Sequence, residues 1–172
     1  VVNQFSRNTR LEQGTIWSNG IYQILIGGGT NSTLTVSNSV LGAFGHRRPV
    51  YNVGGTLNAD YNNLYIGEGA LAALTGGSPP REHYSVGRWS AFSGQDTHSL
   101  SHFPQFASPQ EGDFRLKSSA GRFDPTVGVF VEEDPPGDTS PLIDAGDPGL
   151  ACTEPSPNGG RVNIGRYGNT GE

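Results

Sequence analysis

Residues 28–41 read GGTNSTLTVSNSVL and residues 54–65 read GGTLNADYNNLY, so a double glycine, β-forming residues and an asparagine recur in the same order. The triplet Asn-x-apolar begins at Asn38 and again at Asn62, 24 residues later, and an earlier copy begins at Asn3. A period of this size with glycine corners is typical of stacked coils, each packed on its neighbours. The repeat predicts three rungs of a solenoid, with the three asparagines stacked from rung to rung.

Short strands separated by glycine-rich bends fill the first section, residues 1–77. Alternation of apolar and polar residues is clearest at 34–41. A short helix is expected at Ala70–Leu74, and the long helices of an ordinary α/β sheet are missing from the pattern. A β-sandwich is the alternative to a solenoid, and the recurrent asparagine favours the solenoid. The predicted strands are Val1–Phe5, Gly14–Trp17, Ile21–Ile26, Leu34–Leu41, Pro49–Val53 and Leu57–Ile66.

The second section, residues 78–172, is mostly irregular. One short helix is predicted at Ser85–Phe92, because Ser85 is a good N-terminal cap and Gly94 a good stop. Stacked coils expose unpaired strand edges at their last rung, so this section is predicted to be the C-terminal cap. Further strands are predicted around Phe114–Leu116 and Thr126–Val131.

Composition excludes several functional classes. The 172 residues include 26 Gly and 12 Pro, carry a net charge of −5 and contain a single lysine, so a basic surface for nucleic acid is not expected. The one cysteine, Cys152, cannot form an internal disulfide. No stretch approaches the roughly 20 apolar residues that cross a bilayer, so membrane insertion is not expected.

Several segments of the second section resemble the C-terminal end of right-handed parallel β-helix repeat proteins, which are common among large secreted bacterial proteins. They are SGQDTHSLSHFPQF at 93–106, GDFRLKSSAGRFDP at 112–125, SPLIDAGDP at 140–148 and NGGRVNIGRYGNTGE at 158–172. The resemblance implies the all-β pectate-lyase-like fold, a right-handed parallel β-helix. Residues 1–77 would form its last two to three rungs and 78–172 an irregular cap of the same domain.

The resemblance also implies an extracellular or cell-surface protein. Its family contains lyases, hydrolases, epimerases and adhesins, so fold alone does not define activity. Two or three rungs bury little apolar surface. The expected partner is therefore an N-terminal β-helix portion, or a second chain, that continues the coil at Val1–Phe5.

Candidate catalytic residues are few. Hydrolases of polysaccharides need carboxylates facing one groove, and lyases need a basic residue with a cation to neutralise the uronate. Asp60 lies on a predicted rung strand, Glu68 in the following turn, and Arg48 in a basic loop that could meet an anionic sugar. All three are equally compatible with ordinary turn positions.

Aromatic residues provide a second hypothesis. Trp17, Tyr51 and Tyr65 fall on or beside the rungs and would form a glycan-binding platform if they lined one outer face. The alternative is that they fill the interior or the contact with the cap.

Calcium is the one metal that the sequence suggests, and no other cofactor is expected. Asp144 and Asp147 in the DAGDP stretch could supply oxygen ligands to Ca²⁺. Both positions are also favourable for turns, and the loop lacks the dense carboxylate spacing of known calcium loops.

These features support a structural, assembly or glycan-binding role for the end of a secreted β-helix protein. The alternative is part of a polysaccharide lyase or glycoside hydrolase whose active groove lies mainly on further N-terminal rungs. A multimerising module is the third hypothesis.

Overall fold

The structure is a computed structural model that describes residues 2–4, 8–17, 20–27, 31–124, 127–131, 135, 138–156 and 158–170. The described residues form short strands, one α-helix, α1 (Val86–Ser93), and a 3-10 turn at Pro109–Glu111. The strands are β1 (Val2–Gln4), β2 (Thr9–Glu12), β3 (Thr15–Trp17), β4 (Tyr22–Gly27), β5 (Thr33–Ser37), β6 (Val40–Ala43), β7 (Arg48–Asn52), β8 (Thr56–Asp60), β9 (Asn63–Ile66), β10 (Ala73–Thr75), β11 (Arg81–His83), β12 (Phe106–Ser108), β13 (Asp113–Leu116), β14 (Arg122–Asp124) and β15 (Val129–Val131).

Three parallel sheets organise the first section. Each sheet takes every third strand, in the orders β1-β4-β7-β10, β2-β5-β8 and β3-β6-β9. The chain therefore passes repeatedly through the same cycle of sheets, and we call the passes β2–β4, β5–β7 and β8–β10 the first, second and third coils. The all-β class is confirmed, and the stacked parallel sheets are compatible with a β-helix-like solenoid.

Matching positions on successive coils build the interior. Ile24, Val50 and Ala73 are in register on one sheet and are at most 1% exposed. Leu41 and Leu64 are in register on another and are equally buried. Burying one such aliphatic side chain contributes about 1.5–3 kcal/mol, so each inward row stabilises the contact between coils.

A bend divides two of the predicted strands. The segments 34–41 and 57–66 each form two strands, broken at Asn38 and Tyr61, whose φ angles are 49° and 54°. Gln13 takes φ 51° at the matching bend of the first coil. Positive φ turns the chain sharply at a single residue, which moves it from one sheet to the next.

The predicted stack of Asn3, Asn38 and Asn62 is wrong. Asn3 lies in β1 opposite Ile26, on a different sheet. Asn38 occupies the bend itself, whereas Asn62 follows the bend and matches Ser39. The asparagines recur with the coil period, but they do not occupy equivalent positions.

Side chains nevertheless link the coils at this bend, through a series of bonds that we call the corner ladder. The Gly14 N–H donates to Ser39 Oγ at 3.0 Å, and the Ser39 N–H donates to Asn62 Oδ1 at 3.1 Å. The Asn62 N–H donates to Ser99 Oγ at 2.8 Å. Each main-chain donor is thus satisfied by a side chain that lies further along the stack.

The second section has two parts. In the first, α1 is capped by Ser85 as predicted and ends at Gly94, with φ 71°. This part covers the third coil, since Asp96 N–H donates to Ala59 O at 2.7 Å and Leu100 N–H donates to Asn62 O at 2.7 Å. The helix expected at Ala70–Leu74 is wrong, because Ala73–Thr75 forms β10 and pairs with both β7 and β11.

The described residues of the range 103–170, which we call the flank segment, include those that pack on the outer face of the β3-β6-β9 sheet. Val40 of β6 is fully buried among Phe106, Leu142 and Ile164. All four residues of β6 are buried, because the coil interior covers one face and the flank segment covers the other. Strand β13 contains the predicted Phe114–Leu116, and β15 contains the last three residues of the predicted Thr126–Val131, whose first residue lies outside the described residues.

Main-chain bonds tie the flank segment to the first and second coils. Asn38 accepts twice, at its carbonyl from Gly165 N–H (2.8 Å) and at Oδ1 from Asp147 N–H (2.7 Å). The Arg166 N–H donates to Thr15 Oγ1 at 3.0 Å. None of the helices in the described part of the chain has the length and apolarity needed to cross a membrane.

Replacing Gly42 by Ala should destabilise the protein. Trp17 and Tyr65 occupy matching positions on either side of Gly42, and their rings stack over it at a centroid distance of 5.4 Å. A Cβ at Gly42 would overlap the Trp17 indole. We expect the free energy of unfolding in urea to fall by about 1–3 kcal/mol.

The control is Gly87→Ala, where the added Cβ meets no atom within 4 Å. Because Gly87 lies in α1, this change should raise the unfolding free energy by about 0.5–1 kcal/mol. Equal effects of the two substitutions would contradict the packing described for Gly42.

Replacing Asn62 by Ala should break the corner ladder. The Asn62 side chain also donates to Val36 O at 3.0 Å, so its loss leaves Ser39 N–H and Val36 O without this partner in a buried site. We expect a loss of about 2–4 kcal/mol in unfolding free energy. Asn58→Ala, an exposed asparagine on β8, should change it by less than about 0.5 kcal/mol. A similar small effect at both positions would refute the role of the ladder.

Candidate functional site

The flank segment forms a cavity of about 300 Å³ that is partly open to solvent. One wall consists of β13, β14 and the turn between them, and the other is formed by parts of residues 143–168. Aromatic side chains supply much of the apolar lining, namely Phe114, Phe123, Phe130 and Tyr167. All four are only half-buried, so ring surface remains available inside the cavity.

Three arginines also line the cavity, namely Arg115, Arg122 and Arg166. Arg115 and Arg166 differ in the groups that they contact. Arg115 forms a two-pronged ion pair with Asp113, with Nη2 to Oδ2 at 2.9 Å and Nε to Oδ1 at 3.1 Å. The Arg115 hydrogen bond is the main cause that holds the Asp113 pKa below its usual range, and the charge of Arg122 adds to it. The Arg166 guanidinium lies 5.2 Å from the centre of the Tyr167 ring.

Two carboxylates complete the polar lining. Glu154 Oε1 accepts from the N–H groups of Asn163 (2.7 Å) and Asn169 (2.8 Å). Asp144 Oδ1 accepts from Gly159 N–H at 3.1 Å. Each carboxylate thus uses one of its oxygens to hold the loop that forms one wall of the cavity. An apolar and aromatic lining with a few placed polar groups is typical of a small-ligand pocket.

Residues 95–102, which follow α1 and lie on the third coil, are called the covering segment. Asp60 lies at the end of β8 and holds this segment through His98. It accepts from His98 N–H at 2.7 Å and contacts His98 Nδ1 at 2.7 Å, while the His98 ring stacks on Tyr61. Burial alone would raise the pKa of Asp60. The hydrogen bonds from His98 and Tyr61 outweigh this effect, and the pKa lies below its ordinary value of 3.8.

The other two catalytic candidates lie elsewhere. Arg48 begins β7 and is 3.8 Å from Glu82 of β11, and Glu68 is exposed in the turn after β9. Asp60, Glu68 and Arg48 thus lie at three separate positions of the coil, and the contacts of the described residues bring no two of them together.

The aromatic candidates divide between two sheets. Trp17 and Tyr65 stack on the β3-β6-β9 sheet, where Phe103 and Phe106 of the flank segment pack edge-on to Trp17. Tyr51 lies on a different sheet and contacts Tyr22, at a centroid distance of 4.5 Å. Trp17 and Tyr65 therefore form part of the contact between coil and flank segment, the alternative weighed for these residues.

Asp144 and Asp147 each accept a hydrogen bond from a loop N–H group, Asp147 from Gly149 at 2.8 Å. Within the described ranges, no group of three or more His, Cys, Asp and Glu side chains could hold a metal ion. Asp144 belongs to the lining of the cavity, whereas Asp147 does not.

Asp96 is a buried acid that sequence reasoning did not single out. It is 2% exposed, and burial raises its pKa despite hydrogen bonds from Ser99, Asn62 and Trp89. Its partners belong to the corner ladder and to α1, so it joins the covering segment to the coils.

The chain matches no family model, no curated protein and no solved structure.

Replacing Asp60 by Asn should lower the unfolding free energy at pH 5. The carboxylate contacts three groups, namely Tyr61 N–H, His98 N–H and His98 Nδ1, and the substitution removes its negative charge. A lowered folded-state pKa means that the carboxylate contributes stability above the unfolded pKa, near 3.8, and that this contribution is lost as pH falls through the folded pKa. The difference between wild type and Asp60→Asn should therefore shrink below about pH 4.

Urea unfolding at a series of pH values measures this difference. Glu68→Gln, an exposed acid in a turn, should leave stability unchanged throughout. A difference between wild type and Asp60→Asn that is as large at pH 2.5 as at pH 5 would argue against the proposed role of the carboxylate.

Proposed function

We propose that the chain is the C-terminal end of a right-handed parallel β-helix of the pectate-lyase-like type, located outside the cell or on its surface, with a structural and glycan-binding role. The repeated cycle of three parallel sheets supports the architecture. Tail motifs such as SPLIDAGDP and NGGRVNIGRYG support the family and the location.

Assembly at the N-terminal edge is part of this proposal. Strands β1, β2 and β3 are the first members of their sheets, and each pairs with one neighbour among the described strands. At the other end, β11 pairs with β10 and the segment after α1 covers β8 and β9. This asymmetry supports a partner at Val1–Phe5, either an N-terminal β-helix portion or a second chain that continues the coil.

The cavity of the flank segment is the observation that carries the glycan-binding role. Its volume of about 300 Å³ lies at the lower end of the range for small-ligand pockets, and rings and charged groups converge in it. The volume suits the end of a glycan better than the middle of a long polymer.

Binding is preferred to catalysis because of what the carboxylates do. Glu154 and Asp144 hold the N–H groups of the cavity wall, and Asp60 holds the covering segment. Glycoside hydrolysis instead needs two carboxyl groups that face one sugar bond. The alternative, part of a lyase or hydrolase with its groove on further rungs, would be revealed by release of sugar during the binding assays.

Tyr167→Ala should weaken glycan binding about tenfold, since a stacking ring inside the cavity is removed. Binding is measured on an array of mono- and oligosaccharides and then by NMR titration of the strongest ligand. Tyr84→Ala is the matched control, because Tyr84 is exposed and lies on another face, where its hydroxyl bonds Glu82. Absence of binding to any glycan, or an equal loss in Tyr84→Ala, would overturn the proposal.

A further inference from the structure

Arg166 is a positioned cation at the cavity. Its own N–H is bound to Thr15 Oγ1 at 3.0 Å, and the preceding Gly165 N–H is bound to Asn38 O at 2.8 Å. The main chain of Arg166 is therefore attached to two coils, and the guanidinium lies against the Tyr167 ring. The base of this side chain is fixed, although the residue is exposed to solvent.

Arg166 also carries no ion pair within the described part of the chain, in contrast to Arg115, which Asp113 neutralises. A guanidinium that lies over an aromatic ring keeps its N–H groups at its own edge, pointing outward in its own plane. There a carboxylate or a sulfate can accept two of them. An anion bound there would therefore meet a charge that no carboxylate of the described residues pairs with.

We propose that the cavity takes the terminal residue of a glycan that carries an anionic group, a carboxylate or a sulfate, with the anion at Arg166 and the sugar ring against Tyr167. This inference rests on the proposed glycan-binding function of the same cavity. Asp144 and Glu154 also line the cavity, where they accept backbone N–H groups of the wall, and neither forms an ion pair with Arg166.

The overall charge of the protein argues for one anionic group and against a polyanionic chain. With a net charge of −5 the protein repels a polymer that carries many negative charges, and this repulsion acts over a distance of about 10 Å at moderate salt. A single terminal anion gains the local contact with Arg166 and meets little of that repulsion.

The test compares three probes of similar size: methyl glucoside, methyl glucuronide and glucose 6-sulfate. By NMR titration at low salt, we expect at least one acidic probe to bind wild type about tenfold more tightly than methyl glucoside. Arg166→Gln should remove this preference and keep the affinity for the neutral probe. Raising the salt concentration should reduce the preference in wild type.

Arg81→Gln is the matched control, because Arg81 is an exposed arginine of β11 that lies outside the cavity. Like Arg166 it lies near an aromatic ring, 4.3 Å from the centre of Phe92. It should behave as wild type. Arg166→Lys, which keeps the charge, should retain part of the preference. Unchanged affinity of Arg166→Gln for methyl glucoside shows that this variant still folds.

The outcomes separate the two proposals. Equal binding of all three probes to wild type, or a preference that survives in Arg166→Gln, overturns the acidic ligand and leaves the glycan site intact. Failure of every probe and of every arrayed glycan to bind overturns both. A preference for one acidic probe alone supports the inference and identifies the anion as carboxylate or sulfate.

Discussion

The corner ladder is the interaction on which the rest of the structure depends. A bend at positive φ turns the chain between sheets but leaves main-chain N–H groups buried between coils, and each unsatisfied group would cost about 1–3 kcal/mol. Ser39, Asn62 and Ser99 satisfy these groups one after another. Because Ser99 belongs to the covering segment, the ladder places that segment in register with the coils and closes the end of the stack.

The same bend positions the candidate site. Asn38 takes the positive φ angle, and its carbonyl and side chain then accept hydrogen bonds from Gly165 and Asp147 of the flank segment. Arg166, next to Gly165, thereby reaches the cavity from a fixed main chain. Coil geometry thus determines where the cavity wall lies, although the described residues that line the cavity all belong to the flank segment.

Sequence patterns predict local features well and long-range ones poorly. Alternation at 34–41 predicts the extended chain of β5 and β6, though not the bend between them, and Ser85 with Gly94 predicts α1. Each of these signals lies within a few residues. The bends at Asn38 and Tyr61 are not predicted by the sequence pattern, because neither residue is a glycine. The cavity is not predictable from local patterns, because Phe114 and Tyr167 lie on opposite walls but are distant in sequence.

Amide hydrogen exchange tests the central claim, that side chains at the corner join the coils and hold the flank segment. The N–H groups of Ser39, Asn62 and Gly165 lie outside the strands but donate to Asn62, Ser99 and Asn38. The account predicts that all three exchange as slowly as the strand amides of Leu41 and Leu64. Exchange at the rate of exposed loop amides would contradict it.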